Sequence, residues 1–469
     1  MAKKSLEVLR KSLSERGQEH VLGFLADLGE VERRALANQL GSIDLDLIDR
    51  LVRGEDVFEP DPETSSIDEP EVVTLPATEE DRGRRGAARE RGLDEMRGGR
   101  VAALVVAGGQ GTRLGFDGPK GAYPVGPVTD RTLFRLHAEK IIAASRRAGR
   151  PIPWYIMTSE ANDKATRAFL REHKHFGLDP EDVFIFTQGM LPAVDHDGKM
   201  FLADPGRVFT APNGHGGTFA ALADSGALED MTTRGIEHVY YFQVDNPLVP
   251  VPDPVFIGHH AEAGAEMSSK VLRKRDPDEP IGTVVRRGGR VEVVEYSDIP
   301  PEIRDAKTAE GDMRYPWGSI AIHVISVGFV RRFINEGLTL PFHRARKKVP
   351  HVGADGTRVT PDEPNGTKFE MFIFDALRFA KASVTMEVAR EDEFAPVKNA
   401  TGKDSVATSR AAMSDLYARW LEAAGVKVER DSAGAVAGSI EISPLTADSA
   451  EALGANPPEG IEFRDGLAL

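Results

Sequence analysis

Between Val101 and Gln188 the chain alternates short apolar runs with longer amphipathic ones: VAALVVA, LFRLHAEKIIAASRRAG, PWYIMTS, NDKATRAFLREH and DVFIFTQ. That order restricts the fold sharply. Parallel strands need a crossover, and a helix between each strand and the next supplies it, so the pattern predicts βαβ units and a mostly parallel sheet. A further strand, HVYYFQVD, ends at Asp245. MSSKVLRK reads as another, and TVVRRGGRVEVVEYSDI as a hairpin turning at Gly288 and Gly289. The expected class is α/β, with a central, mostly parallel twisted sheet of Rossmann-like type flanked by helices.

Around this centre the chain changes character twice. Leu6, Leu9, Leu13, Leu36, Leu40 and Leu45 recur at helical spacing, which predicts a small helical cap. The stretch from Gly54 to Gly92 is rich in Pro, Glu and Asp without period and reads as an irregular, solvated connection. After Asn399, SRAAMSDLYARWLEAAG predicts a helix, followed by short strands. Three consecutive segments are expected: a helical region and linker over 1–95, a catalytic domain over 96–385 and a small C-terminal domain over 386–469.

A net charge of −15 argues against a broad footprint on nucleic acid or on a membrane surface, since both attract Lys and Arg. The absence of cysteine excludes disulfides, thiolate metal sites and a thiol nucleophile. The N-terminus carries Glu and Asp among its apolar residues, unlike a signal peptide, and no apolar run approaches the roughly eighteen residues of a membrane span. A cytoplasmic location is the expectation.

The residues AGGQGTRLGFDGPKG, from Ala107 to Gly121, follow the strand VAALVV directly. Gly108, Gly109 and Gly111 let the backbone approach a ligand, and their N–H groups are able to converge on phosphate oxygens. Arg113 and Lys120 add fixed positive charge. Leu114 stands where a dinucleotide-binding GxGxxG would need its third glycine, and no GK[ST] follows as in a P-loop. Asp245 ends its strand at a position from which a carboxylate reaches a metal held between phosphates. None of the twelve histidines shows metal-ligand spacing, and only His215 draws interest; Trp154 and Trp317 read as core or rim aromatics.

With these motifs the sequence resembles the eukaryote-type UDP-N-acetylhexosamine pyrophosphorylases of the UDP-sugar pyrophosphorylase group, over nearly the whole chain. The glycine loop is joined, in the family's order, by QGMLPA, PNGHGG, VDNPL, EPIGTVV, VVEYSDI, FEMFIFD, EFAPVKNA and EISPL. The resemblance implies a nucleotide-diphospho-sugar transferase fold and a uridylyltransferase joining UTP to a sugar 1-phosphate, with UDP-sugar and pyrophosphate as products. Arg113, Lys120 and Lys398 would act on phosphates, and Ala107, Gly108, Gly109, Gly111, Thr112, Gln188 and Gly214 would bind the nucleotide. Asp245 would hold Mg²⁺. Gly282 and Glu295 would face the sugar, beside His215 and Ser319, which replace residues usual in the N-acetylhexosamine branch.

N-acetylglucosamine 1-phosphate is the expected sugar, because QGMLPA, EPIGTVV, VVEYSDI, EISPL and Gly217 side with that branch. His215 also fits the UDP-glucose branch, so glucose 1-phosphate or a broad sugar range is the alternative. A glycosyltransferase is disfavoured because Val-Asp-Asn stands where a DxD pair would be. A noncatalytic sugar-nucleotide binder is disfavoured because Arg113, Lys120, Asp245 and Lys398 are all retained.

Overall fold

The computed structural model describes residues 6–58, 67–455, 457 and 460–469. Its contacts form two compact units, each discontinuous in sequence. The larger comprises Asp61–Thr187, Phe219–Leu338 and Ala376–Leu469, and the smaller Met1–Pro60, Gln188–Thr218 and Thr339–Asp375. This differs from the three consecutive segments expected. In place of a separate C-terminal core, Met413, Leu416, Leu421 and Ile440 share one buried cluster with Ala103, Leu133 and Trp154.

The larger unit is built on an eleven-stranded sheet. Seven of its strands are β1 Val101–Val106, β2 Trp154–Thr158, β3 Val183–Thr187, β4 His238–Gln243, β5 Met267–Arg273, β6 Trp317–Ser326 and β7 Thr385–Glu387. They lie in the order β7-β5-β6-β4-β1-β2-β3. The β4-β1-β2-β3 half is wholly parallel, β5 pairs β7 in parallel, and β6 runs antiparallel to both β4 and β5. Along this path the sheet is therefore mostly parallel, as the alternation predicts, with β6 the one reversed strand. Every residue of β2 is buried, and all of β1 but its last, which explains why these strands read as unbroken apolar runs.

The predicted hairpin is present as Thr283–Arg287 against Arg290–Val294. Gly288 and Gly289 turn it with φ of +55° and +80°, the pair of left-handed residues that a tight turn matched to strand twist requires.

The stretch expected to be an irregular connection departs from the reading. Residues 59–66 lie outside the described part, but Ile67–Asp68 pairs with the hairpin, Val72–Val73 joins β7 at the sheet edge, and Glu79–Arg97 is a nineteen-residue helix. Thr78 and Asp81 close its N-terminus as a capping box. Its packing uses glycine in place of large apolar residues: a Cβ on Gly92 would lie 1.8 Å from the carbonyl oxygen of Pro254, and one on Gly258 would lie 1.7 Å from that of Ala88. The helices Glu79–Arg97 and Pro254–Glu262 thus meet backbone to backbone, a contact that leaves no apolar period to read.

The smaller unit contains the helices Leu6–Ser14, Glu30–Ser42 and Leu45–Arg53. Leu9, Leu13, Leu36 and Leu40 are buried at the expected helical spacing, in one cluster with Val194, Leu202, Phe342 and Phe369. These helices therefore share their core with later segments of the chain. No described helix is long and apolar enough to cross a membrane.

Candidate active site

Adjacent parallel strands β4 and β1 deliver the two strongest motifs side by side. Gln243 pairs with Val106 at their carboxyl ends, and the ladder continues as the Val244 N–H donates to the Val106 carbonyl at 3.1 Å. The glycine loop thus begins beside the turn that carries Asp245, where ligands bind in open α/β sheets.

The loop closes on itself. Gly111 N–H donates to the Gly118 carbonyl at 2.9 Å and Lys120 N–H to that of Gly109 at 3.1 Å, which turns Lys120 back towards β4. The N–H groups of Gly108, Gly109 and Gln110 donate to nothing among the described residues. Thr112 and Arg113 lie in a short 3₁₀ turn, Thr112–Leu114, and Arg113 is exposed, without an ion pair among the described residues. The loop therefore offers free donors and a free cation.

Lys120 Nζ meets Asp245 Oδ2 at 3.0 Å, with only 17% and 14% of the two side chains exposed. Burial alone would push the Asp245 carboxyl up, but the ammonium groups of Lys120 and Lys398 outweigh it and hold the group below the usual carboxylate range. Asp245 is consequently a carboxylate at neutral pH. Lys398 reaches its neighbourhood because the segment 393–397 is bonded to the end of β4: Asn246 Nδ2 donates to the Glu393 carbonyl at 2.6 Å, Ala395 N–H to Asn246 Oδ1 at 3.2 Å and Val397 N–H to the Asp245 carbonyl at 2.8 Å. Lys398 itself is 39% exposed and stands 3.9 Å from Asp404.

Two further polar side chains hold this turn from the helix Leu133–Ala148. His137 Nε2 donates to the Val244 carbonyl at 2.9 Å, and Lys140 Nζ donates to the carbonyls of Pro247 and Val249. Lys140, pushed down to about 7 by burial, also lines a cavity of about 580 Å³ with Pro247, Leu248 and Glu393 among its walls. None of the expected site residues lines that cavity. The sequence reading gave no role to Asn246, His137 or Lys140, although Asn246 stands in VDNPL and His137 and Lys140 lie three residues apart on one helix face.

Mg²⁺ commonly binds proteins through one or two carboxylates and takes its other oxygens from substrate phosphates and water. The ionised Asp245, flanked by cations that also suit phosphate, fits that mode. The one cluster of three potential metal ligands among the described residues is Glu95, Glu237 and His238, and its Glu95 is engaged by Arg91 and Arg100.

Gly282, Glu295 and Ser319 come together in the larger unit. Ser319 N–H donates to the Gly282 carbonyl at 2.8 Å, and a Cβ on Gly282 would lie 3.3 Å from Glu295 Oε2. Ser319 Oγ is buried with no hydrogen-bond partner among the described residues.

Gln188, Gly214 and His215 belong to the smaller unit. Gln188 is buried, with only 7% of it exposed. Gly214 has φ +85°, and a Cβ there would sit 2.3 Å from the Met371 carbonyl oxygen, so only glycine suits the turn. His215 Nδ1 accepts from Ile373 N–H at 3.2 Å, and its ring lies beside Phe372 and Phe374. Burial drives its pKa down to about 4, so it stands neutral with its proton on Nε2.

Residues 60–433 match the family model described as UTP--glucose-1-phosphate uridylyltransferase, the UDPGP family. The chain belongs to that family. Among its UDPGP relatives, the human UDP-N-acetylhexosamine pyrophosphorylase-like protein 1 is 39% identical, over 98% of this chain and 96% of that one. The UDP-N-acetylglucosamine pyrophosphorylase of Saccharomyces cerevisiae is 40% identical, over 72% of this chain and 73% of its own. Among solved structures, the uridine diphosphate N-acetylglucosamine pyrophosphorylase of Trypanosoma brucei aligns with a TM-score of 0.81 at 30% identity, covering 98% of each chain.

Proposed function

We propose that this UDPGP-family protein joins UTP to N-acetylglucosamine 1-phosphate, forming UDP-N-acetylglucosamine and releasing pyrophosphate. The observation that carries the reading is the ion pair of Lys120 and Asp245, set between a glycine loop with free N–H groups and Lys398. The family and the relatives' names support the same activity.

The arrangement suits a direct displacement. A sugar 1-phosphate has a second pKa near about 6, so at neutral pH its oxygen is already a nucleophile and no general base is required. The chain's task is to hold two polyanions in line and to balance charge at the α-phosphoryl group and on the departing pyrophosphate. In this reading the loop amides, Arg113 and Lys120 take the nucleotide's phosphates, and Lys398 faces them from the other side. Asp245 would hold Mg²⁺, which when bound neutralises phosphate charge. Gln188 and Gly214 would meet the uracil, and Gly282, Glu295 and Ser319 the sugar hydroxyls. The neutral His215 would offer a single Nε2–H donor to the sugar. A cytoplasmic location belongs to the same proposal.

Glucose 1-phosphate is the second substrate to weigh, because His215 and Ser319 are the two departures from the N-acetylhexosamine pattern. Steady-state kinetics with N-acetylglucosamine, N-acetylgalactosamine, glucose and galactose 1-phosphates decide between them. The proposal expects the highest kcat/KM for N-acetylglucosamine 1-phosphate. A tenfold or greater preference for glucose 1-phosphate, about 1.4 kcal/mol, would overturn the sugar assignment.

A further inference from the structure

The carbonyl side of the glycine loop has an anchor of its own. Ser159 and Asn162 stand just beyond the end of β2, the strand paired with β1, and are only 0% and 1% exposed. Asn162 Nδ2 donates to the carbonyls of Ala107 at 2.8 Å and Gly109 at 3.1 Å, and Ser159 Oγ donates to that of Gly108 at 2.8 Å. The Asn162 side chain is fixed in turn by the Ser159 N–H, which donates to its Oδ1 at 2.9 Å.

Asn162 precedes the helix Asp163–Glu172, where an asparagine side chain ordinarily accepts from the first helical turn. It makes no such bond. Its whole hydrogen-bonding capacity is turned on the loop and on Ser159.

A trans peptide is planar, with its C=O and N–H on opposite sides. Drawing the carbonyls of 107, 108 and 109 into two buried side chains therefore turns the N–H groups of Gly108, Gly109 and Gln110 away from them, and these three make no bond among the described residues. Successive amides facing outward form an anion-binding concavity.

We propose that Ser159 and Asn162 are positioning residues, which orient three consecutive peptide dipoles of the loop towards the nucleotide's polyphosphate. The inference rests on the uridylyltransferase reading. Left to itself, a glycine-rich loop would sample many orientations and lose affinity to ordering on binding.

The test compares wild type, N162A and S159A by calorimetric titration with UTP in the absence of sugar phosphate, and by hydrogen exchange over residues 107–121. N162A is expected to raise the UTP Kd roughly tenfold, on the scale of two lost hydrogen bonds. It should also speed exchange of the Gly111 and Lys120 amides and leave the KM for the sugar 1-phosphate within about twofold. S159A should give smaller changes of the same kind. An unchanged UTP Kd in both variants would overturn the proposal, as would equal weakening of UTP and sugar phosphate. If N162A does not fold, an unchanged UTP Kd in S159A overturns it alone. Wild-type protein that fails to bind UTP contradicts the uridylyltransferase reading, whereas unaltered loop exchange in N162A contradicts the clamp whatever the ligand.

Discussion

Asn246 joins two pieces of chain far apart in sequence: its side-chain amide donates to the carbonyl of Glu393 at 2.6 Å. Its oxygen accepts from Ala395 N–H, and the neighbouring Asp245 carbonyl accepts from Val397 N–H. One residue before Asn246 is the carboxylate of the site, and one residue after Val397 is Lys398. The relation of these two charges is thus set by backbone bonds close to both.

Asn246→Ala should release the 393–397 segment and let Lys398 drift. Displacement of a charged group by about 1 Å can cost on the order of a hundredfold in rate, so kcat is expected to fall by about that factor. The KM for UTP should change far less. A variant with wild-type kcat would show that Lys398 does not need this tie.

Arg113→Ala and Lys120→Ala are each expected to lower kcat by roughly a hundredfold or more, the loss associated with removing a group that balances transition-state charge. Arg113 has no structural partner among the described residues, so its loss should leave thermal stability unaltered. Steady-state kinetics at saturating substrates, with a melting curve beside them, check both. Wild-type turnover in either variant removes that residue from the mechanism.

Asp245→Asn keeps the side chain's size and removes the charge that Lys120 and Lys398 hold ionised. Activity should fall steeply, with more Mg²⁺ needed for half-maximal rate, and EDTA should silence the wild type. Full wild-type turnover in the chelator would contradict the assignment of Asp245 as a metal ligand.

Stability should depend on pH through His137. The side chain is fully buried, and burial drives its pKa down to about 3, against about 6.5 in an unfolded chain. Between these values the unfolded state binds a proton that the folded state refuses. Its stabilisation is therefore complete above about pH 6.5 and declines as pH falls towards about 3, by up to about 1.4 kcal/mol per pH unit. His137→Gln retains a donor for the Val244 carbonyl without titrating. Urea unfolding at pH 7 and pH 5 should show the variant losing about 2 kcal/mol less than wild type over that interval. Identical pH slopes would contradict the assignment.

What was legible in the sequence follows from where its signals arise. The parallel half of the sheet, the glycine loop and Asp245 announced themselves because buried strands are continuous apolar runs and ligands sit at their carboxyl ends. The hairpin was legible in Gly288 and Gly289, whose positive φ other residues rarely supply. The helix Glu79–Arg97 was not, since its contact with the Pro254 helix is made through Gly92 and Gly258. The roles of Asn162, Asn246, His137 and Lys140 were not legible either, although Asn246 stands in VDNPL and His137 and Lys140 share a helix face, because each acts on backbone carbonyls or amides brought near only by the fold. The two-unit division was hidden for a related reason: the smaller unit gathers three separated stretches of chain, and periodicity reports only local order.

Uridylyl transfer moves the α-phosphorus of UTP onto the sugar phosphate, and a label on that atom follows it. Purified protein is incubated with α-³²P-labelled UTP, Mg²⁺ and N-acetylglucosamine 1-phosphate, and both labelled product and pyrophosphate are quantified. Label is expected in UDP-N-acetylglucosamine, with one pyrophosphate per sugar nucleotide formed and no product when the sugar phosphate is omitted. Label remaining in UTP under these conditions, or pyrophosphate released without a labelled sugar nucleotide, would contradict it.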